Sequence, residues 1–272
     1  MSSKPSLSII TISYNDPEGL KRTLDSLSPL NESFSWENII VDSSPAINSS
    51  IIKSFKRDSL IHLETPPKGI YPAFNLGLEH ARGEFIWFLN GGDRLKSSKN
   101  VLKAIETMAD QPELDLLCAG VDLYRGGKFI YSATPKSPFI KNLVGQNSLC
   151  HQGIIYRRSV FNRLGTFSQN YKLAGDYEHH FRCHFAKLKT LNLPLILAEY
   201  DRDGRSDNFK PVVREFRRVW KTYRKKMGVK LTLENEAFAC AHYLKLRLMK
   251  SALIKPFSKP LKNIWYRLHG HL

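Results

Sequence analysis

The sequence lacks any long hydrophobic segment, since no apolar run approaches the ~20 residues that a helix needs to cross a bilayer. The first apolar run, residues 7–12, has the length of a strand, and residues 1–5 are not followed by the apolar h-region of a signal peptide. We therefore expect neither a membrane-spanning helix nor a secretory signal.

The four cysteines are widely spaced and form no C-x-x-C pair. This spacing argues against a zinc site or a disulfide framework and fits a reducing cytoplasm.

Acidic residues are scarce at one end of the chain. The net charge is +16, but residues 1–209 carry 25 Lys and Arg against 22 Asp and Glu, whereas residues 210–272 carry 16 against 3. A basic block of this kind is attracted to an anionic surface, either nucleic acid or acidic lipid headgroups.

Short apolar segments alternate with amphipathic ones in the first part of the chain. Runs rich in β-branched and aromatic residues predict strands at 7–13, 38–42, 61–63 and 84–90. Helices are predicted after them, from Pro17, over about 49–57, over about 73–82 and around 101–108. This alternation predicts a parallel sheet with helices on both faces. Further on, we predict a hairpin through Gly126-Gly127, strands at 151–156 and 195–198, and a helix from about Asp176.

The basic end contains one clear amphipathic pattern. Over residues 257–268, Phe257, Ile264 and Trp265 share one helical face, and lysines occupy the other. Such a helix suits an anionic membrane interface, and residues 236–253 form a weaker version of it. The alternative is that both helices pack on the main domain and merely present a charged outer face.

Polar residues follow three of the predicted strands, at the edge of a parallel sheet where ligands bind. An acidic residue after the second strand can hold a base or ribose. An aspartate after the fourth strand, beside glycines, lets a diphosphate and a divalent cation approach the backbone. The residues at these positions are Tyr14, Asn15, Asp42, Asn90, Gly91, Gly92 and Asp93.

Seven segments in order resemble the signatures of family-2 glycosyltransferases, and the subgroup most similar acts in bacterial capsule, exopolysaccharide and O-antigen assembly. The segments are 8–15, 39–43, 68–75, 82–93, 151–153, 164–167 and 174–178. The resemblance covers about residues 6–207 and implies an α/β protein of the GT-A type, a Rossmann-like mixed sheet flanked by helices. It implies a catalytic domain over 1–209, with a nucleotide-sugar-binding half over about 1–114 and an acceptor half over about 115–209. Residues 210–272 are then a basic helical C-terminal extension.

The resemblance also implies a reaction, the transfer of a sugar from a nucleoside diphosphate sugar with inversion at the anomeric carbon. The family's base is an acidic residue at the start of a helix in the acceptor half, and Asp176 matches that position. A carboxylate in hydrogen-bond reach can take the proton of a sugar hydroxyl as the new bond forms. The simpler interpretation of Asp176 is a helix N-cap.

The family motif for a divalent cation is reduced in this sequence. Asn90 and Gly92 stand where carboxylates are usual, which leaves Asp93 as the predicted ligand of Mg²⁺ or Mn²⁺. His151 is predicted near the phosphates, as a metal ligand or a cationic donor, or alternatively as an ordinary strand histidine.

The remaining predicted donor contacts come from the other matching segments. Asp42 matches the acid that contacts the nucleobase or ribose, although a turn-capping aspartate would look the same. Lys68 and Arg205 are candidates to neutralise phosphate charge, with solvated surface as the alternative for both. The full set of donor-binding candidates is Tyr14, Asn15, Asp42, Lys68, Asn75, Asn90, Gly92, Asp93, His151 and Arg205.

The sequence thus predicts a cytoplasmic enzyme, peripheral on the inner face of the cell membrane, that adds a sugar to a glycan or polyprenyl-linked acceptor. Two alternatives stay open at this point. The reduced acidic motif is compatible with an inactive, glycosyltransferase-like partner subunit. The basic C-terminal block suggests nucleic-acid binding as the second alternative. No helix-turn-helix, zinc-finger or RRM signature accompanies it, so we expect no nucleic-acid partner.

Overall fold

The computed structural model describes residues 6–30, 34–55, 59–143, 149–201 and 209–226. They form a nine-stranded mixed sheet flanked by helices, which confirms the predicted α/β class. In chain order the strands are β1 Leu7–Ser13, β2 Trp36–Asp42, β3 Leu60–Glu64, β4 Phe85–Phe88, β5 Arg94–Leu95, β6 Leu116–Arg125, β7 Lys128–Ala133, β8 Ile154–Arg157 and β9 Thr190–Asp201. The helices are α1 Pro17–Ser26, α2 Pro45–Ser54, α3 Ile70–His80, α4 Ser98–Ala109, α5 Ser159–Leu164, α6 Gly175–Phe185 and α7 Phe209–Arg224.

The strands lie in the order β3-β2-β1-β4-β8-β6-β9-β5, and β7 pairs with β6. β1 pairs in parallel with β2 and β4, and β2 with β3, as the alternating sequence predicts. The continuous parallel run ends at β8, which lies antiparallel to both β4 and β6, and beyond it β6 pairs in parallel with β9. Ser13 pairs with Asp42, so the turns after β1 and β2 leave the sheet at the same edge. We call the edge at the ends of β1, β2 and β4 the carboxyl edge.

The apolar runs form the core because both faces of the central strands are covered. Ile9 and Trp87 lie on one side of the sheet in a cluster with residues of α4 and β6, and both are fully buried. On the other side, Gly77 of α3 lies so close to Ile10 that a Cβ at Gly77 would lie 2.5 Å from a methyl of Ile10. Burial on both faces explains why these strands read as continuous apolar runs.

Several predicted boundaries differ from the structure, and the strand predicted at 195–198 is part of the longer β9. α2 begins at Pro45 rather than near residue 49, and α3 begins at Ile70 rather than Ala73. Prolines fit both places, because a helix does not need the backbone N–H groups of its first turn. Residues His151–Gly153 form a 3₁₀ turn, and the strand starts only at Ile154. This turn packs tightly, since a Cβ on Gly153 would lie 2.4 Å from the carbonyl oxygen of Ala119.

Within the described ranges no helix is long and apolar enough to cross a membrane. The chain divides into two compact units, residues 1–220 and 221–272. The second unit is described only over residues 221–226, where α7 ends. The predicted amphipathic helix at 257–268 and the weaker pattern at 236–253 lie outside the described residues.

Candidate active site

The turn after β4 is built around glycine and a buried hydroxyl. Gly92 has a φ of 103°, a conformation that favours glycine. Its N–H donates to Oγ1 of Thr23 at 2.9 Å, and the same hydroxyl lies 2.7 Å from the carbonyl oxygen of Asp93. Thr23, on the inner face of α1, is fully buried. No role was predicted for Thr23, although it is a polar residue on the apolar face of α1, between Leu20 and Leu24.

Asp93 is the buried carboxylate of this turn, only 3% exposed. Its Oδ2 accepts from Nε2 of Gln152 at 2.8 Å and from the backbone N–H of Asn90 at 3.2 Å. Burial raises the pKa of Asp93 to about 6, against the lowering effects of the Gln152 hydrogen bond and of nearby His151. Gln152 lies within a matched segment, but its contact with Asp93 was not predicted.

His151 connects the turn after β4 to α6. Nδ2 of Asn90 lies 3.1 Å from its Nε2, and Oδ2 of Asp176 lies 3.4 Å from its Nδ1. With the amide donating to Nε2, Nδ1 is the ring nitrogen that donates, and it faces Oδ2 of Asp176. Both ring nitrogens of His151 are therefore engaged. Oδ1 of Asn90 is buried and has no hydrogen-bond partner.

Asp176 lies in the first turn of α6, where the sequence predicts a helix start. Its Oδ1 accepts from the hydroxyl of Tyr71 at 3.0 Å and from the N–H of Tyr177 at 2.8 Å. Burial alone would raise the pKa of Asp176, but the hydrogen bond and electrostatic attraction of His151 outweigh burial and lower the pKa to about 2. The carboxylate is thus ionised at neutral pH, and 16% of its side chain is exposed, so a ligand can reach it.

The contact between Tyr71 and α6 depends on a glycine. A Cβ at Gly175 would lie 2.8 Å from the Tyr71 ring, so only glycine allows this approach. Tyr71 itself is buried, and burial raises the pKa of its hydroxyl well above the usual range, so it stays a hydrogen-bond donor. Tyr71 lies within the matched segment 68–75, but no role was predicted for it.

The structure thus brings four predicted site residues together, namely Asn90, Asp93, His151 and Asp176. Together they join the carboxyl edge to the start of α6. Gly92 holds the turn that carries Asp93.

The side chains of two other predicted residues, Asp42 and Asn75, make hydrogen bonds within the protein. Asp42 is fully buried, and its Oδ1 accepts from the N–H of Ser44 and from Nδ2 of Asn48, both at 2.8 Å. The other carboxylate oxygen of Asp42, Oδ2, lies 3.3 Å from Nε2 of His62. Asn75 makes two hydrogen bonds to the backbone of residue 167, at 2.9 and 3.0 Å, and so ties α3 to the loop after α5.

The last predicted donor contacts lie at the surface or outside the described residues. Tyr14 is 38% exposed, and Asn15, with a φ of 52°, donates its N–H to Oγ of Ser44 at 2.9 Å. Lys68 is exposed in the loop before α3. Arg205 lies outside the residues that the structure describes.

A divalent cation fits this donor set in a limited way. Asp93 supplies a carboxylate, and Oδ1 of Asn90 supplies a buried oxygen that lacks a partner, which are ligand types that Mg²⁺ and Mn²⁺ accept. No group of three or more His, Cys, Asp or Glu side chains that could hold a metal occurs in the described part of the chain. Any cation here would therefore need further ligands, such as the oxygens of a bound phosphate and waters.

This fold is of the GT-A type. The fold is similar to that of S. aureus TarS 1–349, solved in complex with UDP-GlcNAc, at a TM-score of 0.61 and 18% identity over 92% of this chain and 78% of that one. It is also similar to the mannosyltransferase PcManGT from Pyrobaculum calidifontis, solved with GDP-Man and Mn²⁺, at a TM-score of 0.56 and 14% identity over 97% and 88%.

Sequence comparison agrees with the fold. The model of the family described as Glycosyl transferase family 2 matches residues 8–191. An uncharacterized glycosyltransferase of Mycobacterium tuberculosis is 28% identical over 83% of this chain and 87% of its own length. A PGL/p-HBAD biosynthesis glycosyltransferase of Mycobacterium bovis is 25% identical over 75% and 80%. The chain belongs to glycosyl transferase family 2, and the predicted class of enzyme is confirmed.

Proposed function

We propose that this enzyme transfers a sugar, with inversion, from a nucleoside diphosphate sugar to a hydroxyl of a lipid-linked glycan acceptor in bacterial surface polysaccharide synthesis. The observation that carries the proposal is the ionised carboxylate of Asp176, accessible and connected through His151 and Asn90 to the turn of Asp93. Support for the donor comes from two proteins of the same fold, which are bound to UDP-GlcNAc and GDP-Man.

Asp176 acts as the general base in this proposal. The acceptor hydroxyl attacks the anomeric carbon from the face opposite the diphosphate, and Asp176 takes the hydroxyl proton as the glycosidic bond forms. The bond from the anomeric carbon to the phosphate oxygen breaks, and its electron pair leaves with the nucleoside diphosphate. A carboxylate whose pKa is about 2 is a weak base at rest. Proton transfer becomes favourable only as the hydroxyl oxygen gains positive charge during attack, so the two events occur together.

The diphosphate binds, in this proposal, at the carboxyl edge beside the turn of residues 90–93. Gly92 lets the diphosphate approach the backbone, and Asp93 with Oδ1 of Asn90 would hold a divalent cation. Such a cation would neutralise charge that develops on the departing diphosphate. Tyr71 and His151 hold the Asp176 carboxylate, each by one hydrogen bond or close contact. Tyr14, Asn15, Asp42, Lys68, Asn75 and Arg205 stay predictions as direct donor contacts.

Thermal unfolding against a panel of nucleoside diphosphates and nucleotide sugars, with and without Mn²⁺, tests the donor site. A ligand that binds only the folded state at ~100 times its dissociation constant adds about 2.7 kcal/mol of stability. We expect one nucleotide to raise Tm and Mn²⁺ to increase that shift. No shift with any donor, together with no sugar transfer to lipid-linked acceptors, would contradict the proposal and favour an inactive partner subunit.

The basic extension is proposed to hold the enzyme at an anionic membrane on the cytoplasmic side. The support is its composition, 16 basic against 3 acidic residues over 210–272, and the amphipathic pattern of 257–268. We expect deletion of residues 257–272 to weaken binding to vesicles that contain acidic lipids. Unchanged vesicle binding would contradict this role. Tight binding to nucleic acid and not to vesicles would favour the alternative, that the basic extension binds nucleic acid.

A further inference from the structure

Glu215 of α7 binds the backbone at the start of α6. Its Oε1 accepts from the N–H of Lys172 at 2.9 Å, and its Oε2 accepts from the N–H groups of Leu173 at 2.7 Å and Ala174 at 2.9 Å. Three consecutive N–H groups thus point at one carboxylate from a distant part of the chain. Such an arrangement favours a negative charge, because the N–H dipoles converge on it.

α6 has no side-chain cap at its N-cap position. Its N-cap residue is Ala174, which makes no side-chain hydrogen bond to the helix. The first N–H groups of a helix have no partners within it, and the helix dipole adds partial positive charge at the same end. Glu215 binds the N–H of the N-cap residue Ala174 and those of the two residues before it, and its negative charge lies at the positive end of the helix dipole.

Other side chains of α7 contact α6 and the loop before it. The ring of Phe216 stacks on Tyr177 at a centroid distance of 4.5 Å, and Trp220 lies 6.3 Å from Phe181. Nη1 of Arg218 donates to the carbonyl oxygen of residue 170 at 3.3 Å. α7 therefore contacts both the loop before α6 and the outer side of α6 itself.

We propose that Glu215 is a positioning residue for the general base Asp176, an inference that rests on the proposed function. Asp176 lies two residues after Ala174, so the position of residues 172–174 sets the position of its carboxylate. That carboxylate must meet Tyr71 and His151 at the same time as an acceptor hydroxyl. A displacement of about 1 Å at a reacting group can cost on the order of 100-fold in rate.

The inference assigns a role to a helix that the family match does not include. The match ends at residue 191, whereas α7 begins at Phe209 and continues into the basic extension. Within the compact unit of residues 1–220, α7 is then part of the active-site architecture rather than only a link to the basic end.

The test compares Glu215→Ala and Glu215→Gln in the full chain, with Glu106→Ala as the matched control. Glu106 is an exposed glutamate on the outer face of α4. We expect Glu215→Ala to lower kcat about 10- to 100-fold while the Kd of the donor, measured by nucleotide binding, changes less than about 3-fold. Glu215→Gln keeps one accepting oxygen and should give an intermediate kcat. Wild-type kcat in Glu215→Ala would overturn the inference.

A double variant separates positioning from general destabilisation. If Glu215 acts through Asp176, the addition of Glu215→Ala to Asp176→Asn should lower the residual turnover no further. If the two losses multiply, Glu215 acts elsewhere and the inference is wrong. Should Glu215→Ala fail to fold, the same comparison is made with Glu215→Gln, whose size is unchanged. The result is distinct from failure of the proposed function, in which the wild-type enzyme itself would transfer no sugar.

Discussion

Nδ1 of His151 lies 3.4 Å from Oδ2 of Asp176, and this contact joins the two halves of the site. His151 belongs to the 3₁₀ turn before β8, whereas Asp176 belongs to α6. On its other side the imidazole meets Asn90, which follows β4. One ring therefore relates the proposed base to the turn at which the proposed diphosphate binds.

Replacement of His151 by Ala should move the acid limb of the kcat/KM profile to higher pH. The pKa of Asp176 is depressed, so its active, ionised form persists down to about pH 2 in the wild type. Without the imidazole, burial dominates and raises that pKa, so protonation silences the base at a higher pH. Steady-state kcat/KM from pH 4 to 8 measures this shift, with His80→Gln on the exposed end of α3 as the control. An unchanged acid limb would show that His151 does not set the charge of Asp176.

Asp93→Asn should reduce the loss of folding stability that the wild type shows as pH rises from about 4 to about 6. The pKa of Asp93 is raised from 3.8 to about 6, so between these values the folded protein holds a proton that the unfolded chain has lost. Stability therefore falls as pH rises through this window, and the fall amounts to at most about 3 kcal/mol. Urea unfolding at pH 4.5, 5.5 and 7 should show a shallower fall in the variant. If the unfolding free energy of Asp93→Asn falls with pH as steeply as that of the wild type and of the exposed control Asp110→Asn, Asp93 does not have a raised pKa in the folded protein.

Thr23→Val should weaken the turn after β4 without a change of shape. Valine leaves the N–H of Gly92 without its partner, at a cost of about 1–3 kcal/mol in unfolding free energy. Because that turn carries Asp93, we also expect a higher Kd for the donor nucleotide. Thr23→Ser, which keeps the hydroxyl, is the matched control. Equal donor affinity in both variants would show that the hydroxyl does not support the site.

Much of the fold follows from local patterns in the sequence. The four parallel strands and the hairpin through Gly126-Gly127 are confirmed, because buried strands and glycine turns each leave a local signature. The order of β8, β6 and β9 is not local, since each pairs with strands distant in sequence. For the same reason the antiparallel return of β8 was not predicted.

The site divides in the same way. Asp93 and Asp176 could be selected because their motifs are short and contiguous. Gln152, Thr23 and Tyr71 could not, since each reaches its partner across at least 59 residues of sequence. Glu215 was also missed, because its carboxylate lies on a basic helix and meets α6 only in the folded chain. The predicted roles of Asp42 and Asn75 as donor contacts rest on motif position, whereas their side chains are hydrogen-bonded within the protein.

The most direct test of the account is the turnover of Asp176→Asn, with a donor identified by the nucleotide panel and a lipid-linked acceptor. Asparagine keeps the size of the side chain and can still accept from Tyr71, but it cannot take a proton. The account predicts that folding and donor binding stay near wild type while kcat falls by ~100-fold or more, and that exposed Asp110→Asn has no effect. Near wild-type kcat in Asp176→Asn would contradict its role as the base, and with it the proposed mechanism.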